Sequence, residues 1–234
     1  NGGDYFTCDG KVAFGSQEAL TAVQKWSELL KYAPPGAATW GYAEQIDAFV
    51  RGQVAMVMYA GRLGVNLAAQ APELEDRVTV IFPPWGPEPV TLGVWSRLAI
   101  AAGTRHPDQA KAFLEWLLSG DRLLRFDMAV PGHMIPPLAS VQNNALAEDS
   151  AYVQRHADWL RSFNTWVGAT NHPVMNMGSM HNGAFHRSDT PPPWANAVFG
   201  ASGIISTMLQ DIALNAASPE AAWQRAVSDM EQTV

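Results

Sequence analysis

Between Phe49 and Gly64 the chain reads FVRGQVAMVMYAGRLG, and this stretch limits the fold more than any other. It leaves a helix, turns at Gly52, runs uncharged from Val54 to Tyr59 and breaks at Gly61. An apolar run of that length between glycines predicts a strand buried on both faces, as in parallel sheets covered by helices. Ligands of such folds lie beyond the carboxyl ends of the strands. Tyr59, Gly61 and Arg62 are therefore candidates for ligand contact.

A chain of 234 residues, 47% of them hydrophobic, can bury a sizeable core in one large domain or two small ones. Its net charge of −7 is scattered, which argues against nucleic acid or an anionic membrane as the main partner. Cys8 stands alone, so neither an intrachain disulfide nor a cysteine-based metal site is expected. No apolar run approaches the roughly 18 residues of a membrane span. The first residues lack the regions of a signal peptide, so any export signal is expected upstream of them. Nine tryptophans and nine methionines are the unusual feature. A tryptophan face suits the C–H face of a sugar ring, and it equally suits a core.

Local signals set out the remaining elements. Asp9-Gly10 suggests a turn, and Ser16 caps a helix reaching about Tyr32, with Leu20, Val23, Trp26, Leu29 and Leu30 inward. Val78 to Phe82 reads as a second buried strand, and Val90 to Ala101 as extended chain beyond a proline-rich loop. Pro107 opens a helix that Gly120 ends, another follows from Asp121, and Ala147 to about Phe163 has amphipathic spacing. Residues 164–193 form a long irregular stretch, a kind of loop that is usually functional. Two helices close the chain, the second capped by Ser218-Pro219.

FVRGQVAMVMYAGRLG resembles the F-x-x-G-x-x-A-M signature, followed by a glycine turn, of the extracellular solute-binding proteins of sugar ABC transporters, the maltose-binding-protein-like group. In the same order, VTVIFPPWGPEP resembles that family's strand and proline-rich loop, LGVWSRLAIAAGTRHPDQAKAFLEWLLSGD its crossing segment and helix, and VPGHMIPPL the turn that follows. The resemblance implies an α/β fold, periplasmic-binding-protein-like of type II, with two lobes joined by crossing strands and the N-terminal lobe largely missing from this chain. It assigns residues 1–96 to the C-terminal lobe, 97–150 to a return segment of the N-terminal lobe, and 151–234 to the closing helices of the C-terminal lobe. It further implies a monomeric, non-catalytic protein, periplasmic or extracellular at the cell surface, that passes a saccharide to a membrane permease. No cofactor, resident metal or nucleic acid is expected.

Matched position by position, the resemblance makes Gly61 and Arg62 the turn after the signature strand, where relatives often carry an aromatic residue. Arg62 can offer a forked pair of hydrogen bonds to hydroxyls or to an anionic group, or be an ordinary exposed arginine. Gly93, Trp95 and Ser96 match the crossing segment, where a glycine admits the ligand and an aromatic stacks on it. Trp40 and Tyr42 border the cleft in relatives, Trp194 resembles a late stacking aromatic, and His133 lies in a turn that could reach the cleft. Each also has a plain packing or solvent role. No carboxylate pair, phosphate loop or nucleophile elbow points to catalysis. A carbohydrate-active enzyme, or an interaction fragment that binds nothing alone, are the rival readings. The Met and His residues from His172 to His186 have the ligand types copper takes, in a spacing that defines no site.

Overall fold

The computed structural model of this chain describes residues 2–7, 11–82, 98–136, 138–146, 150–169 and 194–234. Among them the helices are α1 (Gln17–Leu29), α2 (Tyr42–Val50), α3 (Arg62–Gln70), α4 (Pro107–Leu117), α5 (Arg122–Asp127), α6 (Ala139–Leu146), α7 (Ala151–Arg155), α8 (Ala157–Ala169), α9 (Ala195–Phe199), α10 (Ile204–Ala213) and α11 (Pro219–Thr233). Two compact units divide the chain: Asn1–Gly41, Pro83–Val94 and Thr170–Val234 make one, and Tyr42–Phe82 with Trp95–Ala169 the other. Among the described residues no helix is long and apolar enough to cross a membrane.

In the first unit α1 starts where its cap dictates. Ser16 Oγ accepts the Ala19 amide at 3.2 Å, and Ser218 Oγ accepts that of Ala221 at 3.2 Å ahead of Pro219 in α11. The core joins Val23 of α1 to Met208 and Ile212 of α10 and Met230 of α11. Along α1 the inward stripe is Ala19, Val23, Trp26 and Leu30, while Leu29 is 64% exposed. One residue along a helix rotates a side chain by about 100°, which takes Leu29 off the buried face. The arms of the expected first turn do pair, with a bridge between Phe6 and Val12 and the Ala13 amide donating to Tyr5 O at 2.9 Å. Asp9 and Gly10 lie outside the described residues.

The second unit departs from expectation in its strands. Residues 54–60 and 78–82 carry no ladder among the described residues, and Met56 and Met58 are 81% and 78% exposed. A strand is buried by its sheet neighbours, and with none beside it among the described residues the apolar run is only partly covered, here at Val54, Val57 and Tyr59. Most of the third extended segment lies outside the described residues. The helix expected from Ala147 to Phe163 is two, α7 and α8, interrupted at His156 with φ −111 and ψ 23. The break accompanies burial of the His156 ring against Glu75, a pairing that sequence spacing does not anticipate.

Candidate ligand-binding site

The geometry around the signature stretch starts with two glycines. Gly52, at φ +68, ends α2, and its neighbour Gln53 donates to Ala48 O at 2.8 Å. The extended chain then reaches Gly61, whose amide donates to Gly132 O at 3.2 Å. A Cβ on Gly61 would stand 2.3 Å from that oxygen, so the two backbones meet only because a side chain is absent. Gly132 has φ +77, and a Cβ there would lie 2.8 Å from Leu160 Cδ2. Arg62 and His133, the residues that follow the two glycines, are thereby brought to neighbouring positions, both exposed.

An open groove of about 670 Å³ runs between α2 and α3. Tyr42 and Tyr59 stand at one end, rings edge to face with centroids 6.0 Å apart. Along α3, Arg62, Asn66 and Gln70 follow at four-residue spacing and so share one face of the helix. The α2 side supplies Glu44, Asp47 and Arg51, the last two paired at 2.8 Å. The groove thus offers two aromatic rings, two guanidiniums, of which Arg51 is paired with Asp47, and two carboxamides, groups that suit a polyhydroxylated molecule. The α3 stripe is the part that residue-by-residue reading missed, although its spacing is written in the sequence.

Beneath α3 a buried network braces the groove. Gly64 lies so close to Tyr152 that a Cβ there would come within 2.5 Å of its hydroxyl. Burial, with Glu75 adding to it, pushes the Tyr152 phenol up to about 12, so it stays neutral. The His156 ring stacks on Trp159 with centroids 4.2 Å apart, and its Nε2 is 3.2 Å from Glu75 Oε1. Arg155 bridges Glu75 at 2.7 Å and Asp76 at 2.9 Å. This ties the short helical turn Pro72–Arg77 to α7 and α8.

The other expected contact residues are placed differently. Trp40 is half-buried at the end of the turn Ala37–Thr39, in the first unit. Trp194, in the same unit, tilts against Phe6 with ring centroids 4.6 Å apart. Gly93, Trp95 and Ser96 lie outside the described residues, as does the Met- and His-rich stretch from His172 to His186. Among the described residues no group of three His, Cys, Asp or Glu side chains is placed to hold a metal ion.

The pattern described as bacterial extracellular solute-binding protein matches residues 1–121, more than half of the chain. The chain belongs to that family. This solute-binding protein also superposes on a solute-binding protein of an ABC transporter from Thermotoga lettingae TMO, bound with alpha-D-tagatose. The TM-score is 0.75 at 21% identity, over 99% of this chain and 53% of that one. A protein from Synechococcus sp. MITs9220, assigned as an oligosaccharide periplasmic-binding protein, gives 0.73 at 15% identity over 99% and 55%. A structure of that description in complex with zinc gives 0.69 at 16% over 98% and 56%. No curated protein matches the chain. The fold is that of the type II periplasmic solute-binding proteins, and the chain spans a little over half the length of those solved proteins.

Proposed function

We propose that this solute-binding protein binds a saccharide for an ABC uptake system, with Tyr42, Tyr59, Gly61, Arg62 and His133 on one wall of the site. The observation that carries the reading is the groove that Tyr42, Tyr59 and Arg62 line together, with the turn before Arg62 fixed by the contact of Gly61 with Gly132. Aromatic rings there would cover the apolar face of a sugar, while Arg62, Asn66 and Gln70 bond its hydroxyls. That the Thermotoga neighbour holds tagatose supports the ligand class.

In this reading the protein is exported, monomeric and without catalysis. Its saccharide sits in a cleft between two lobes, with Gly93, Trp95, Ser96, Trp40 and Trp194 as further contacts. Ligand that touches both lobes favours their closed arrangement, and the closed form is what a permease would receive. Calorimetry with hexoses and short oligosaccharides tests the reading. Binding is expected, weakened at least about tenfold by Tyr59→Ala, since an aromatic contact in such a pocket contributes on the order of 1.4 kcal/mol or more. A chain that answers to peptides or metal ions and to no saccharide overturns it.

A further inference from the structure

We infer that the groove between α2 and α3 selects saccharides carrying a single carboxylate; this rests on the saccharide reading above and adds the charge of the ligand to it. The argument starts from which charges in the groove are already satisfied. Arg51, directly after α2, is neutralised by Asp47 at 2.8 Å, four residues earlier. Arg62 has no acid beside it among the described residues, and it stands exposed at the first position of α3. Of the groove's two cations, Arg51 has its acid and Arg62 has none among the described residues. A guanidinium presents parallel N–H groups that fit the two oxygens of a carboxylate, and such charged pairs are about twice as strong as neutral hydrogen bonds.

The rest of the lining limits the ligand's charge. Glu44, Asp47, Arg51 and Arg62 balance formally, so an incoming monoanion meets one unpaired cation in a neutral setting. A phosphate, with nearly twice the charge at neutral pH, would be held by the same single guanidinium and repelled more strongly by the two carboxylates of α2. Asn66 and Gln70, one and two turns further along α3, are then left for the hydroxyls. Tyr42 and Tyr59 take the ring face.

The test is calorimetry on the whole chain with D-glucuronate, D-glucose and D-glucose 6-phosphate, at low and high salt. Glucuronate should bind roughly tenfold or more tightly than glucose, and the gap should narrow at high salt because the guanidinium is exposed. Arg62→Met should erase the preference, and Arg62→Lys should keep only part of it. Arg62 is exposed, so neither change removes buried packing. Equal affinity for glucuronate and glucose overturns the inference and leaves the saccharide reading standing. So does a preference that survives Arg62→Met, or tighter binding of the phosphate. Binding of none of the three, with neutral oligosaccharides also inert, overturns both.

Discussion

The amide of Gly61 donates to the carbonyl of Gly132 at 3.2 Å, joining two turns 71 positions apart, the difference of their numbers. Nothing larger than hydrogen fits between them, because a Cβ on Gly61 would stand 2.3 Å from that carbonyl oxygen. The obstacle is backbone, which cannot swing aside as a side chain does. Gly61→Ala should therefore destabilise the chain by about 1–3 kcal/mol, the usual cost of overpacking. Gly132→Ala should cost about 1–2 kcal/mol for its left-handed backbone alone. Urea denaturation checks both, and an unchanged midpoint for Gly61→Ala would mean that the two turns separate freely.

Glu75 is buried and serves two partners, His156 and Arg155. Removing it leaves a buried imidazole and a guanidinium without their acid. Glu75→Ala should cost about 3 kcal/mol, the lower end for breaking a buried pair, because Arg155 is half-exposed and keeps Asp76. Arg155→Met should cost less, because its guanidinium is half-exposed and water replaces the lost partner. Equilibrium unfolding of the two variants should rank them in that order.

Asp127 is 3% exposed, and its Oδ2 has no hydrogen-bond partner among the described residues. Burial holds its carboxyl above the usual carboxylate range. The folded chain then keeps a proton that the unfolded chain has released, so the stabilisation is complete below the ordinary carboxylate range and is lost as pH rises through the raised value. Asp127→Asn cannot ionise and should flatten that decline. Urea midpoints measured from the ordinary carboxylate range upward should fall less steeply for the variant than for the parent chain.

Tyr152 gives the same effect at the alkaline end. Its phenol, pushed up to about 12 by burial and then by Glu75, stays neutral in the fold while an unfolded tyrosine ionises near 10.0. Stability should therefore decrease between those two values. Titration of tyrosinate absorbance should show late ionisation that is reduced in Tyr152→Phe, the remainder coming from Tyr5, which burial and then Asp4 also raise.

What the sequence made legible follows from the range of each interaction. Ser16, Pro107, Gly120 and Ser218 mark helix ends through neighbours within a few residues, and the helices begin and end beside them. The apolar run from Val54 to Tyr59 reads as buried yet is largely open, because burial of a strand comes from segments far away in sequence. The partnership of Glu75 with His156 spans 81 positions and has no local signature, so it and the helix break it accompanies were invisible. At the candidate site the glycine turns announced where Arg62 and His133 stand. That the turns touch was beyond the sequence, since it depends on the backbone meeting at two separate points.

The bare flank of the extended stretch has a chemical consequence. Met56 and Met58 are open to solvent, whereas Met208 and Met230 are 4% and 0% exposed. Mild peroxide should convert the first pair to sulfoxides and spare the second, since access governs that oxidation. Each conversion places a polar, chiral oxygen on a segment that holds Tyr59 in register beside Tyr42. Among the described residues, the thioethers of this stretch would thus age ahead of those in the core of stored protein, with the groove's aromatic rings directly downstream of the damage.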